Sequence, residues 1–169
     1  MEHLLKTILF VCTANICRSP MAAAIMQERI ARAGLQAEVQ VVSAGVWAES
    51  GARASANAAV VLRGRGIDLT THRSQMLTPA LVKEADIILV MEESHRRSIF
   101  YMAPEQLSKV YLLTEMAGGY DDVPDPYGGP FEEYVETAAL LAALIDKGMP
   151  RTLKRLGVSA GAAPGTSEA

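Results

Sequence analysis

The chain has 169 residues, of which 50% are hydrophobic and 21% charged, and its net charge is −3. These values are typical of one globular domain with a hydrophobic core, and the scattered basic residues exclude the charge pattern of a nucleic-acid-binding protein. No apolar run reaches the roughly 20 residues that span a bilayer, and residues 1–3 do not resemble the start of a secretion signal, so we expect a cytoplasmic protein with no membrane partner.

Predicted strands and helices alternate along the chain. Short apolar runs rich in β-branched residues predict strands at 5–11, 38–43, 86–91 and 109–113, and helical patterns are found at 20–33, 55–65, from about 92 to 101, and 131–147. A short helix is also predicted to begin at Pro79 with Thr78 as its N-cap. This order predicts an α/β fold, a single doubly wound four-stranded parallel sheet with helices on both faces. The domain is expected to cover residues 1–156, and the small, polar residues 157–169 to form a disordered tail.

The 12–18 loop lies between the first predicted strand and the first predicted helix, at the edge of the sheet where α/β proteins bind ligands. It reads Cys12, Thr13, Ala14, Asn15, Ile16, Cys17 and Arg18. Backbone N–H groups of a loop that curls into a helix N-terminus form an anion site, and the helix dipole favours a phosphoryl group there. Arg18 can hold two oxygens of such a group with its planar guanidinium. We therefore predict that the loop binds phosphate.

Cys12 begins this loop and is the predicted nucleophile. The same N–H groups and positive charge favour its thiolate form at neutral pH. Ser19 is expected to cap a helix that starts at Pro20 and to donate its hydroxyl to the Cys12 sulfur. Asn15 tolerates left-handed backbone geometry and can pin the turn with side-chain hydrogen bonds. A cysteine and an arginine at this spacing are a weak signal alone, but their place between a strand and a helix strengthens it.

The predicted long loop at 114–130 supplies a candidate general acid. A phenolate leaves phosphorus poorly unless it is protonated in the transition state. Asp125 lies between Pro124 and Pro126, which stiffen the backbone that aims its carboxylate. Asp122 is the alternative acid, although an aspartate in a turn often serves the turn alone.

At these residues the sequence resembles the low-molecular-weight protein-tyrosine-phosphatase family, whose loop reads Cys-x-Gly-Asn-x-Cys-Arg-Ser-Pro and whose late Asp-Pro supplies the acid. The resemblance spans about residues 6–150 and includes the segments 43–45, 71–74 and 90–94. It implies a phosphorylated protein substrate, no cofactor and no metal. It also implies roles for six residues: Cys12 as nucleophile, Arg18 as phosphate clamp, Asp125 as general acid, and Asn15, Ser19 and His72 as the network that supports the loop.

One position departs from this family pattern. Ala14 stands where the family usually has glycine. If that position required positive φ, alanine would add strain, although the neighbouring Asn15 can take the left-handed role instead. We expect the loop geometry to be kept.

The three histidines have different expected roles. His72 belongs either to the supporting network, as the resemblance implies, or to the ordinary histidines of a surface or core. His3 and His95 are expected to be surface residues.

Three further side chains near the predicted site have two interpretations each. Cys17 is either a small core residue or the thiol that traps oxidised Cys12 as a disulfide. In a reducing compartment both cysteines begin as thiols. Trp47 and Tyr127 either form aromatic walls that stack on a phosphotyrosine ring or are partly buried packing residues.

The predicted function is hydrolysis of phosphotyrosine in proteins through a cysteinyl-phosphate intermediate, by a monomer. Phosphatases of the same family that act on phosphoarginine carry threonine at the position of Ile16, and Ile16 offers no hydroxyl and suits an aromatic substrate better. Arsenate reductases of the family need cysteines further along the chain, and none follows Cys17. A noncatalytic phosphate-binding module would fit a chain that lacks Cys12, Arg18 or Asp125, and all three are present.

Overall fold

A parallel β-sheet forms the centre of the computed structural model, which describes residues 5–160. Its strands, in chain order, are β1 Lys6–Cys12, β2 Val39–Gly45, β3 Ile87–Val90 and β4 Val110–Leu112. They lie side by side in the order β2-β1-β3-β4, and every neighbouring pair is parallel. The predicted four-stranded parallel sheet is confirmed. The strand that leads into the 12–18 loop lies inside the sheet, between β2 and β3.

Helices connect the strands. Within residues 5–160 the α-helices are α1 Arg18–Arg32, α2 Ala56–Gly64, α3 Pro79–Glu84, α4 Glu93–Met102, α5 Leu113–Met116 and α6 Phe131–Leu156, with a 3-10 helix at Pro104–Lys109. The predicted start of α3 is confirmed, because the Thr78 side chain accepts a hydrogen bond from the Leu81 N–H and Pro79 is the first helical residue. None of the helices in this part of the chain is long and apolar enough to cross a membrane.

Both faces of the sheet are covered by helices, as predicted, because the side chains of β1 alternate between two cores. Ile8 and Phe10 pack with residues of α1, α2 and α6, whereas Leu9 and Val11 pack with residues of α3 and α4. All four side chains are fully buried. Burying a side chain of this size contributes about 1.5–3 kcal/mol. Burial on both faces therefore explains why β1 reads as a continuous apolar run rather than as an alternating one.

Helix α6 is longer than the sequence predicts. The predicted end near residue 147 is followed by Gly148 and Pro150, residues that often end a helix. The helix instead continues to Leu156. Leu153 and Leu156 are buried in the core while Pro150 faces solvent. The predicted end is therefore wrong, because burial of this apolar face outweighs the backbone cost of the proline.

The chain leaves α6 through Gly157, whose φ of 72° makes it a left-handed cap. The Val158 N–H donates to the Leu153 carbonyl at 3.0 Å, and the Val158 side chain packs against the core. The first two residues of the predicted tail are thus fixed to the end of the helix. Positions 161–169 lie outside the described residues, and the disordered tail stays a prediction for them.

Gly148 allows α6 to approach α5 closely, and this contact can be tested. A Cβ at Gly148 would lie 2.7 Å from the Met116 Cβ. We expect Gly148→Ala to lower the free energy of unfolding by about 1–3 kcal/mol, despite the better helix propensity of alanine. Gly64→Ala in α2 is the matched control, because a Cβ there meets no atom within 4 Å, and it should raise stability by up to about 1 kcal/mol. Urea unfolding measures both changes, and a Gly148→Ala protein as stable as wild type would contradict the close packing.

Candidate active site

The 12–18 loop joins β1 to α1 and turns at Asn15. Asn15 has a φ of 58° and is the one non-glycine residue with positive φ among residues 5–160. Asparagine adopts this left-handed conformation more readily than most residues. Ala14 does not have positive φ, so alanine in place of the usual glycine adds no strain of that kind. The structure places the left-handed turn where the asparagine side chain can support it.

The Asn15 side chain is the centre of a buried hydrogen-bond network. Its Nδ2 donates to the Ser19 Oγ at 2.8 Å and to the Ser43 Oγ at 2.9 Å, and its Oδ1 accepts from the Gln75 N–H at 3.0 Å. Its backbone carbonyl accepts from the His72 Nε2 at 2.7 Å. Asn15 is fully buried, and a buried amide is costly unless its polar atoms are paired, as they are here. The network therefore fixes the turn and includes His72.

The Cys12 sulfur lies inside the turn of the loop. The Asn15 N–H donates to the Cys12 Sγ at 3.3 Å, and the Ser19 Oγ lies 2.9 Å from the same sulfur. Because the Ser19 oxygen accepts from the Asn15 amide, its own proton is free to point at the sulfur. Two donors thus face Cys12, an arrangement that stabilises negative charge on sulfur.

The predicted N-cap role of Ser19 is wrong. Helix α1 begins at Arg18, and its N-cap position is Cys17, which makes no side-chain capping bond. Ser19 is therefore inside the first turn, and its hydroxyl serves Cys12 and Asn15 instead of the helix end. Of the two predicted contacts of Ser19, the one to sulfur is present.

The end of β2, at Gly45, packs against the backbone of the 12–18 loop. The Val46 N–H donates to the Cys12 carbonyl at 3.0 Å, and the Trp47 N–H donates to the Thr13 carbonyl at 2.8 Å. A Cβ at Gly45 would lie 2.4 Å from the Thr13 carbonyl oxygen and 2.9 Å from the Asn15 nitrogen. Any side chain at Gly45 would collide with the backbone of the 12–18 loop. The loop can therefore pack this closely against the end of β2 only because residue 45 is glycine.

Arg18 is almost completely buried, with 2% of its surface exposed. Its Nη1 donates to the Glu92 Oε1 at 2.6 Å and to the Val123 carbonyl at 2.8 Å, and its Nη2 lies 3.5 Å from the Asp125 Oδ2. Burial alone would raise the pKa of Glu92, but the hydrogen bond and charge of Arg18 outweigh burial and hold that pKa below its usual value. Sequence reasoning gave Glu92 no role. Its signal was its position two residues after the end of β3, at the same sheet edge as Cys12.

Asp125 is brought to the site by a loop that is anchored just before it. The Val123 N–H donates to the Met91 carbonyl at 2.8 Å, while the Val123 carbonyl accepts from Arg18. The Asp125 Oδ1 accepts from the Tyr127 N–H at 3.1 Å. The alternative acid, Asp122, accepts instead from the N–H of Glu93 at 2.9 Å, at the start of α4. Of the two aspartates, only Asp125 lines the cleft above Cys12.

This cleft has a volume of about 310 Å³. It brings together most of the predicted site residues: Cys12, Thr13, Ala14, Ile16, Cys17, Arg18, Trp47, Asp125 and Tyr127. Trp47 is 81% exposed and Tyr127 is 67% exposed. These two aromatic side chains are therefore not packing residues, and their rings stand free at the mouth of the cleft.

The Cys17 thiol contacts two hydroxyl groups, one at the start of α2 and one in α6. Its Sγ lies 3.4 Å from the Ser55 Oγ and 3.7 Å from the Tyr134 Oη. Burial raises the pKa of the Cys17 thiol, and the hydrogen bonds of Ser55 and Tyr134 oppose the shift without cancelling it. Cys17 is consequently a neutral thiol at pH 7, and both cysteines are reduced in the structure.

His95 is not a surface residue, and that prediction is wrong. It is 1% exposed. Its Nδ1 accepts from the Glu92 N–H at 3.1 Å, and its Nε2 lies 2.9 Å from the Thr13 Oγ1. His95 is buried because it occupies the third position of α4, where its ring folds back over the helix start beneath the 12–18 loop. His3 lies outside the described residues.

The support that Gly45 gives the loop can be tested by Gly45→Ala. The new Cβ would force the backbone at Thr13 or Asn15 to move. Since small displacements of catalytic groups cost up to about a hundredfold in rate, we expect kcat/KM for p-nitrophenyl phosphate to fall by about 10–100-fold. Gly119→Ala, whose Cβ would make only an ordinary 3.6 Å contact, is the control. Wild-type activity in Gly45→Ala would show that the loop does not depend on this contact.

Comparison with known proteins agrees with this geometry. Residues 7–158 match the family described as "Low molecular weight phosphotyrosine protein phosphatase". The "Probable low molecular weight protein-tyrosine-phosphatase EpsP" of Ralstonia solanacearum is 38% identical over 148 residues, which cover 88% of this chain and 97% of that protein. The "Protein-arginine-phosphatase" of Geobacillus stearothermophilus is 40% identical over 141 residues, which cover 83% of this chain and 91% of that protein.

Solved structures give the same result. The crystal structure of the low molecular weight protein tyrosine phosphatase from T. tengcongensis matches with a TM-score of 0.82 and 41% identity, covering 86% of this chain and 99% of that one. The family match includes the 12–18 loop, Glu92, His95 and Asp125. The chain therefore belongs to the low molecular weight phosphotyrosine protein phosphatase family.

Proposed function

We propose that this protein is a protein-tyrosine phosphatase that hydrolyses phosphotyrosine through a cysteinyl-phosphate intermediate. The observation that carries the proposal is the convergence of Cys12, Arg18 and Asp125 on one cleft. A nucleophile, a fixed cation and a carboxylic acid are the three groups that hydrolysis of a phosphate monoester requires without a metal.

In the first step the Cys12 thiolate attacks phosphorus. The Asn15 N–H and the Ser19 hydroxyl stabilise the thiolate before the attack. Within residues 5–160 the N–H groups of Thr13, Ala14, Ile16 and Cys17 donate to no other acceptor, so they are available to the phosphoryl oxygens. The Arg18 Nη2, which is not used by Glu92 or Val123, adds a permanent positive charge. The S–P bond forms as the P–O bond to the phenol breaks.

Asp125 carries the proton in both steps. As the P–O bond breaks, protonated Asp125 gives its proton to the phenolic oxygen, so tyrosine leaves neutral. In the second step the Asp125 carboxylate takes a proton from water, and the oxygen of that water attacks the cysteinyl phosphate. The S–P bond breaks, phosphate is released, and Ser19 donates to the departing Cys12 thiolate. The enzyme returns to its starting form.

The shape of the cleft mouth favours an aromatic phosphoester in a protein. Trp47 and Tyr127 present exposed rings on the walls, and Ile16 adds an apolar side chain to the lining. A phosphotyrosine side chain can reach down between them to Cys12. The mechanism needs a reduced Cys12, so we propose the cytoplasm as its place of action. Action as a monomer stays a prediction.

Hydrolysis of phosphoarginine is the second candidate function. It is supported by the relative from Geobacillus stearothermophilus, which is named as a protein-arginine phosphatase and is 40% identical. Ile16 argues for tyrosine, since it offers no hydroxyl to a guanidinium group and packs well on an aromatic ring. Reduction of arsenate has no support, because the chain has no cysteine after Cys17. The presence of all three catalytic groups argues against a noncatalytic module.

The mechanism is tested by removing each group in turn. Cys12→Ser should lower kcat for p-nitrophenyl phosphate by more than about 10³-fold, because a neutral hydroxyl replaces the thiolate. Asp125→Asn should lower kcat by about 10²–10⁴-fold, and more for phenyl phosphate than for p-nitrophenyl phosphate, since the poorer leaving group depends more on the acid.

Asp122→Asn is the matched control for this series. Asp122 holds the start of α4 and does not line the cleft, so kcat should stay within about threefold of wild type. Full activity in Cys12→Ser would overturn the cysteinyl-phosphate mechanism, and a loss in Asp122→Asn equal to that in Asp125→Asn would overturn the choice of acid.

The substrate class is tested with two peptides of the same sequence, one with phosphotyrosine and one with phosphoarginine. We expect kcat/KM of the wild-type enzyme to be higher for phosphotyrosine. Ile16→Thr should shift the ratio toward phosphoarginine by about tenfold, since it adds a hydroxyl and removes apolar contact. A wild-type preference for phosphoarginine would replace the tyrosine assignment with the second candidate.

A further inference from the structure

The start of helix α4 has two side chains that each make a bond to the helix and a bond to the 12–18 loop. Glu92 and His95 form a reciprocal capping box: the Glu92 side chain accepts from the His95 backbone N–H, and the His95 ring accepts from the Glu92 N–H. Glu92 also binds Arg18, at the end of the loop. His95 also binds Thr13, at its beginning. One helix end therefore contacts both ends of the loop.

We infer that His95 is a positioning residue for catalysis. Its Nε2–H holds Thr13 in place, and Thr13 in turn fixes the position of the nucleophile Cys12 relative to Arg18. The inference rests on the proposed phosphatase function. It assigns His95 no contact with substrate, and its effect passes through Thr13.

The contacts of Thr13 explain why this bond matters. Its side-chain oxygen is bound by His95 from the α4 side, and its carbonyl is bound by the Trp47 N–H from the β2 side at 2.8 Å. The residue after the nucleophile is therefore fixed from two directions. Without the bond to His95, only the β2 side would hold it, and Cys12 would sample positions away from the line of attack. Catalysis is sensitive to displacements of this kind.

The two bonds of the ring determine its protonation state. The Nδ1 atom accepts from the Glu92 N–H, so it carries no proton, and the Nε2 atom of a neutral ring then donates to the Thr13 Oγ1. Burial and the charge of Arg18 lower the pKa of His95 to about 4, although Glu92, Asp122 and Asp125 act in the opposite direction. His95 is thus a neutral donor to Thr13 across the range in which the enzyme would work.

Two substitutions separate the bond to the helix from the bond to the loop. Asparagine places a polar atom at the position of Nδ1, so His95→Asn keeps the cap and loses Thr13. Thr13→Val removes the hydroxyl to which the His95 Nε2–H donates, and it leaves the cap formed by Glu92 and His95 in place. We expect His95→Asn to lose about three- to tenfold in kcat with KM little changed, and to melt at a lower temperature because the smaller side chain leaves a buried space. We expect Thr13→Val to lose kcat by a similar factor, because it removes the same bond from the loop side.

Three further measurements complete the test. Vanadate, which mimics the five-coordinate transition state, should inhibit His95→Asn more weakly than wild type by the same factor as the loss in kcat. Thr78→Ala, which removes the side-chain cap of α3, should lower the melting temperature and leave kcat unchanged. A long-range ¹H–¹⁵N NMR spectrum at pH 7 should show His95 as the neutral Nε2–H form.

The outcomes separate this inference from the proposed function. Wild-type kcat and vanadate inhibition in His95→Asn would overturn the positioning role while Cys12→Ser still abolished activity. Wild-type kcat in Thr13→Val beside a loss in His95→Asn would show that His95 acts through the cap and not through the bond to Thr13. A protonated ring or an Nδ1–H form in the NMR spectrum would also overturn it. Activity in Cys12→Ser would instead contradict the phosphatase mechanism itself.

Discussion

The site depends on one buried amide, the side chain of Asn15. A loop that turns its N–H groups inward to bind an anion cannot use them for ordinary secondary structure, so something else must hold its shape. The Asn15 side chain does this by pairing with Ser19, Ser43 and the backbone of Gln75. Those partners come from α1, β2 and the segment before α3. The left-handed turn is thus attached to three other parts of the fold. Because the buried Asn15 amide has all of its hydrogen bonds only in this conformation, the turn and the Cys12 sulfur inside it are held in one position.

Much of the fold could be predicted because its signals are local. Short apolar runs indicated each strand, and their alternation with helices indicated a parallel sheet covered on both faces. The end of α6 could not be found in this way. Gly148 and Pro150 are local signals to stop, whereas the burial of Leu153 and Leu156 depends on the packing of α6 against distant segments. Here the local signals and the burial of apolar side chains favour different helix ends, and burial contributes the larger free energy. The size of that contribution depends on contacts between distant segments, which a local sequence pattern does not reveal.

The same division explains which parts of the site were found. Cys12 and Arg18 belong to one strand–loop–helix segment, and Asp125 has two prolines beside it, so each has a signal in its own neighbourhood. Glu92 and His95 belong to no such motif, and the position of Glu92 shortly after a strand was a weak signal. Their importance comes from the pairing of β1 with β3, which places the start of α4 beside the loop. His95 also looked like a surface residue because a lone histidine in a polar segment usually is one. Its burial follows from a helix-start bond pattern in which histidine replaces the commoner glutamate or glutamine.

Val123 sets a limit on how far Asp125, the proposed general acid, can move. Both its N–H and its carbonyl are bound, to Met91 and to Arg18, and only Pro124 separates it from Asp125. An arm of two residues reaches no more than about 7 Å even when fully extended, and the proline stiffens it further. Asp125 is therefore joined to a fixed residue by a short, stiff segment rather than by a long, flexible loop. Its carboxylate lies 3.5 Å from the Arg18 Nη2, so this short segment keeps the proposed acid beside the proposed phosphate clamp.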